Sequence, residues 1–225
     1  LGKREAELAN ARRTNALAIT SRQHAMVGEY LLATYEYANP GAGKKLNRTS
    51  FFRARELDTT VVGVLERRLK AAVKKHDPIL APWVAFSAMP KKDVVKQGMT
   101  LAKRLAANSD ANKKLNPLVA KLCQPAPKSM KELAGRYGKL FAGIGKQWQS
   151  RTEAARKAKK PAPSTLGDVH AEALRQVMYA ERAPFNLDDR AIRRLTSQRT
   201  DARLNLLIRK VNDLKVTHPG APPRA

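Results

Sequence analysis

Large apolar side chains in residues 128–149, KSMKELAGRYGKLFAGIGKQWQ, recur at spacings of three and four: Leu133, Tyr137, Leu140, Phe141, Ile144 and Trp148. That period puts them on one face of an α-helix, and so large an apolar face has to be buried. Ser129 and Glu132, three apart just ahead of the run, form a capping-box pattern in which each side chain satisfies a free amide of the first turn. Four glycines, Gly135, Gly138, Gly143 and Gly145, work against the helix, each costing roughly 1 kcal/mol relative to Ala. They predict close packing against a neighbouring helix, or a local break near Gly143 or Gly145.

The same period recurs on either side of this segment. Residues 3–38 read as one long helix in which Leu8, Leu17, Ile19, Met26, Val27, Tyr30, Leu31, Tyr35 and Tyr37 thicken toward the end. Its Ala-rich, charged first half suits one arm of a coiled coil, and Asn39-Pro40-Gly41 stops it. A second helix is predicted over 51–76, with Leu57, Val61, Val64, Leu65, Leu69 and Val73 as its stripe. The Pro-bounded stretch PILAPWVAFSAMP presents Trp83 and Phe86 as a lid on the core. Further helices are predicted over 93–108 and 116–122, on either side of the polar turn NSDANKK, and the 128–149 helix runs on into SRTEAARKAKK. After the Pro161-Ala162-Pro163 linker comes a helix over 168–180 with Val169, Leu174, Val177 and Met178 inward. Asp188 and Asp189 are placed for a helix start, where carboxylates meet the positive end of the dipole. The last helix, 198–216, carries Leu204, Leu207, Ile208, Val211 and Leu214 at heptad-like spacing, and its expected partner is the opening helix.

The pattern therefore predicts an all-α protein of roughly seven to nine helices. It is a helical bundle with a long antiparallel coiled-coil-like hairpin formed by the first and last helices. Residues 1–38 supply the N-terminal helix, a coiled-coil arm that then becomes buried, and 51–160 supply the bundle core. Residues 161–217 hold the C-terminal helices, and 218–225 leave as an extended tail. An aromatic content of only 5% leaves most packing to Leu, Val and Ala, which favours helices over a sandwich or barrel.

Charge adds a second feature. The net charge of +25 raises association with any polyanion, nucleic acid or acidic polysaccharide included. Residues 1–110 hold 20 basic and 10 acidic groups and residues 111–225 hold 24 and 9, so the excess is spread rather than gathered into a patch. The candidate polyanion-binding residues are Arg156, Lys157, Lys159 and Lys160 at the end of the long helix, with Arg193 and Arg194 in the stretch RAIRRLTSQRTDARLNLLIRK. That stretch resembles a helix-turn-helix loosely, and Asp188, Asp189 and Asp201 interrupt its basic face.

Catalytic and metal chemistry find little footing. PGAGKKL lacks the leading Gly and the Ser or Thr after Lys that a phosphate-binding loop needs, and it follows a helix. His24, His76, His170 and His218 show no metal-ligand spacing and read as surface or structural. His24 and Met26 are chemically able to ligate haem iron, but the CxxCH attachment motif is absent. Cys123, the only cysteine, stands beside Leu118, Val119 and Leu122 as a small buried hydrophobe, and its solitude excludes an internal disulfide. No carboxylate pair is spaced for general acid and base work and no GxSxG occurs. No enzymatic activity, metal or cofactor is expected of this segment. No run approaches 18 apolar residues, so no membrane span is expected; the chain opens on Leu1, as a processed chain or a piece of something longer would. Nothing in the pattern sets an oligomeric state.

Three stretches, VGEYLLATYEYA at 27–38, SMKELAGRYGKLFAGIGKQW at 129–148, and PFNLDD at 184–189 through LKVTHPGAPPRA at 214–225, resemble the central region of planctomycete cytochrome C domain proteins. KHDPILAPWVAF at 75–86 fits the same region, so the resemblance covers most of the chain in order. It implies a helical part of a large exported protein of the periplasm or cell envelope, with haem held only in other domains and with two planctomycete-specific domains of unknown function nearby. The chain lacks the haem-attachment motif, so no haem residue carries over. The expected function is a non-catalytic helical spacer or docking segment whose partners are the flanking domains of the same polypeptide. A basic polyanion-binding module is the alternative.

Overall fold

The computed structural model describes residues 1–41, 43–75, 77–90, 93–107 and 115–217. The turn expected at 108–114, the tail expected at 218–225, and His76 and His218 lie outside the described residues. The protein is all-α, with eleven helices and no strand among the described residues. It divides into two compact units, Leu1–Arg22 with the chain from Leu187 onward, and Gln23–Asn186. Helix α1 (Gly2–Ala25) contributes its first five turns to the former and its last residues to the latter.

The larger unit is a bundle built on α2 (Val27–Ala38) and α8 (Met130–Lys157). Ser129 accepts from the Glu132 amide at 3.1 Å, and Glu132 reaches back to the amide of Lys128 at 2.8 Å, one residue ahead of the cap itself. Of the four glycines, Gly138 lies backbone to backbone against Gly28, its notional Cβ 3.4 Å from the Gly28 Cα, while a Cβ on Gly28 would sit 2.4 Å from the Ala134 carbonyl oxygen. Gly145 faces the His24 ring, whereas Gly135 and Gly143 face open space, and the helix runs unbroken past all four. The close approach brings Tyr30 and Leu31 of α2 into one core with Leu133, Tyr137 and Phe141 of α8, all buried. The Tyr137 hydroxyl donates to the Ile79 carbonyl at 2.7 Å, so the deepest phenol has a partner.

Around this pair stand α3 (Arg48–Arg53), α4 (Thr59–Lys75), α5 (Ala81–Ser87), α6 (Val94–Ala107), α7 (Pro117–Leu122) and α9 (Val169–Tyr179). Trp83 and Phe86 lie on α5, a two-turn helix, and both are buried. Two helices expected to be continuous are each split. The opening one breaks at Met26, whose amide bonds to the Gln23 carbonyl three residues back rather than four. The one expected over 51–76 ends at Arg53 in a Schellman arrangement. Leu57 N–H reaches the Phe52 carbonyl, Glu56 N–H reaches Arg53, and Glu56 takes φ +56. Asp58 then caps α4 by accepting from the Thr60 and Val61 amides. Three residues expected in apolar stripes lie outside: Leu17 is 44% exposed, Val73 57% and Val169 71%. Val169 and Val73 stand at or near helix ends, where the inward face is carried by Leu174, Val177 and Met178 and by Leu65 and Ala72.

The smaller unit adds α10 (Asp189–Leu195) and α11 (Gln198–Thr217), and α1 meets α11 and the turn between the two. Leu8 packs with Leu207 and Val211, supported by Ala11, Leu204 and Ile208. Glu5 pairs with Lys215 at 3.1 Å, and Asn15 donates to Thr196 at 2.9 Å. Numbers rising along α1 thus match numbers falling along α11 and its approach, so the two helices run antiparallel. Their shared apolar strip covers about two turns and stops short of Leu17.

The two classes of glycine separate under substitution. Gly28→Ala forces a methyl into the Ala134 carbonyl and is expected to destabilise the protein by about 2 kcal/mol or more. Gly135→Ala and Gly143→Ala meet nothing and are expected to stabilise it by up to about 1 kcal/mol each. Urea unfolding followed by far-UV circular dichroism reads all three.

Candidate functional site

A gathering of polar and aromatic side chains lies in the larger unit, where α9 meets α8. Asp168 caps α9 by accepting from the Ala171 amide at 2.6 Å, which sets the helix phase that turns Glu172 and Arg175 to one side. Arg175 grips Glu172 with two bonds of 2.6 and 2.8 Å, and its guanidinium lies 4.1 Å over the Trp148 ring of α8. Glu172 also accepts from the Leu166 amide and from Gln176, and Arg151 donates to the Leu166 carbonyl. The Pro-rich connection from α8 to α9 is thereby pinned by two arginines and one carboxylate. Arg175, with the further bonds to Glu172, holds that carboxyl down to about 2, below the ordinary 4.5. An arginine that is 8% exposed and stacked on an indole is held by fork geometry as well as charge.

One turn further on, Tyr179 lies against His24, ring centroids 4.6 Å apart, with its hydroxyl 3.1 Å from His24 Nδ1. His24 is 1% exposed. No well-formed hydrogen bond reaches its Nε2, and the Phe185 backbone is the one group that favours the charged ring. Burial pushes the imidazole down to about 4, the Tyr179 phenol up to about 12 and the Cys123 thiol up to about 11. Burial also raises Tyr137 well above its ordinary range. Each shift favours the neutral form, so none of these groups is poised to exchange protons near neutrality. Among the described residues no three His, Cys, Asp or Glu side chains gather as metal ligands, and no helix is long and apolar enough to cross a membrane.

The basic residues expected to bind polyanions fall into both units. Lys159 takes φ +52 in a Schellman turn closed by Lys160 N–H on the Ala155 carbonyl, so Lys157, Lys159 and Lys160 fan outward, exposed, at the end of α8. Arg156 beside them is engaged with Glu153 at 2.6 Å. Arg193 and Arg194 are exposed on α10 of the smaller unit. In the larger unit Glu36, Glu66, Asp77, Glu132, Glu153 and Glu172 each pair with an arginine, which leaves the excess charge carried largely by solvated lysines. The smaller unit carries a groove of about 460 Å³ between α1 and α11, lined by Asn10, Ala11, Thr14 and Asn15 on one side and Arg203 and Leu204 on the other. Neither the Arg175 cluster nor the groove was marked by the sequence pattern. The Glu172 to Arg175 spacing was its one visible trace.

No protein-family model matches the chain, and comparison with curated proteins and with solved structures finds no match.

Arg175→Lys keeps the charge but loses the fork and the stacking, and is expected to cost roughly 1–3 kcal/mol in urea unfolding. Because the folded carboxyl of Glu172 is depressed, its contribution is full above about pH 4.5 and is lost as pH falls toward about 2. Unfolding midpoints measured across that window should fall less in Glu172→Gln than in the parent chain.

Proposed function

We propose that this chain is a non-catalytic helical spacer or docking module within a larger exported protein of the type it resembles, with the flanking parts of the same polypeptide as its partners. The observation that carries this reading is the Glu5 and Lys215 pair, 3.1 Å apart, next to the Leu8, Leu207 and Val211 cluster. Chain that enters beside Glu5 leaves beside Lys215, so the module holds both flanking connections together at one end and fixes where they start. The His24 ring and the Tyr137 phenol, both shifted by burial, sit in the packed interior, which accords with a holding role.

A polyanion-binding role is the second reading. It is favoured by the fan of Lys157, Lys159 and Lys160, which are exposed and carry no ion pair among the described residues. The two readings separate by salt. Binding to heparin and to a random DNA duplex is expected to be weak and to vanish at physiological ionic strength, as counterion release alone dictates. Submicromolar affinity that survives physiological salt and drops at least tenfold in the combined Lys157→Glu, Lys159→Glu and Lys160→Glu variant would overturn the spacer reading in favour of the polyanion one.

A further inference from the structure

His24 is a buried titratable group that nothing in the proposed function uses. Its ring fills a seat made by the absence of a side chain: a Cβ on Gly145 of α8 would lie 3.3 Å from Nδ1. The other walls are aromatic, Tyr179 of α9 at 4.6 Å and Phe185 at 6.4 Å between ring centroids, both edge-on. The neighbouring Gln23 is also buried and accepts from the Tyr30 hydroxyl of α2. A neutral ring accepting from Tyr179 at Nδ1 carries its proton on Nε2, the atom without a well-formed hydrogen bond.

We propose that this seat is a proton-operated latch: protonation of His24 expels the ring from between α8, α9 and Phe185 and releases the last turn of α1. An imidazolium there would bury a full charge among walls that offer no carboxylate, with only the Phe185 backbone to favour it. The groups that face the ring are Gly145 from α8, Tyr179 from α9 and Phe185 after it. The charged side chain packed on Tyr179 is Arg175, a cation whose counter-charge Glu172 is already committed. Release is local because the ladder is interrupted at Met26, so the turn holding Gln23 and His24 can open while α2 stays in place.

The sign follows from the direction of the shift. The ring binds its proton more weakly folded, at about 4, than in the open form, at about 6.5. The latch is therefore closed above about pH 6.5 and is driven open as pH falls toward 4. Between pH 7 and pH 4.5 the opening equilibrium is expected to rise roughly 60-fold.

Hydrogen exchange of the full chain, corrected for the intrinsic effect of pH, measures this at the amides of residues 24–27 against those of 133–141. The expected result is a large rise in opening at 24–27 alone, absent in His24→Phe, whose ring fills the seat and does not titrate. Gly145→Ala, which crowds the seat, should open the turn already at pH 7. The His24 ring resonance of the unmodified chain is an independent readout, expected to titrate below pH 5 whether or not the variants fold. Titration near 6.5 in the folded protein, or an equal pH response in His24→Phe, would overturn the proposal.

Discussion

The contact that organises the larger unit is the backbone approach of α2 and α8 at Gly28 and Gly138. Two helices whose Cα atoms nearly touch have no space between them for a side chain, so the residues flanking the crossing must fill the volume to either side. Tyr30, Leu31, Tyr137 and Phe141 do so, each at or near zero exposure. Glycine weakens each helix by roughly 1 kcal/mol, an expense the added dispersion contact at close range offsets. Once α8 is held against α2, Trp83 meets the Tyr137 ring edge-on at 6.0 Å, and the Tyr137 hydroxyl fixes the chain at Ile79. The positions of α5 and of the segment before it therefore descend from the same crossing.

Polar order follows the apolar order. The interior holds few hydrogen-bonding side chains, and those it holds are paired or neutral: Tyr30 with Gln23 and the Asp58 amide, Arg175 with Glu172, Asn116 with the His170 carbonyl. His24, neutral as well, meets Tyr179 through Nδ1 and leaves Nε2 without a well-formed bond, seated against Gly145 of the same helix that supplies the central crossing. One helix thus uses one glycine to admit a backbone and another to admit a ring. The smaller unit rests on far less, a strip of Leu and Val about two turns long with an ion pair at its edge.

The helical class and most helix positions were legible because burial here runs at the helical period, and the helix-start signals Ser129 and Asp188 each act where their spacing placed them. The splits were not legible. Glu56 takes the left-handed turn that glycine usually marks, and Met26 interrupts the helix where Gln23 bonds to Tyr30 and His24 to Tyr179, 155 positions away. Leu17, Val73 and Val169 look like core by type, but which side of a helix is covered depends on its neighbours. For the same reason the Arg175 and His24 clusters were hidden: α8, α9 and the end of α1 assemble them, and no one stretch contains them. The basic residues were legible as charge, whereas their division between two units was not.

Native-state hydrogen exchange across the whole chain at neutral pH tests the central crossing most directly. If the approach of Gly28 to Gly138 holds the larger unit together, the amides of residues 30–34 and 137–141 should be the slowest to exchange. They should share one opening free energy equal to that of global unfolding. Exchange of the α2 amides well ahead of those of α8, at a rate set by local opening, would contradict the account.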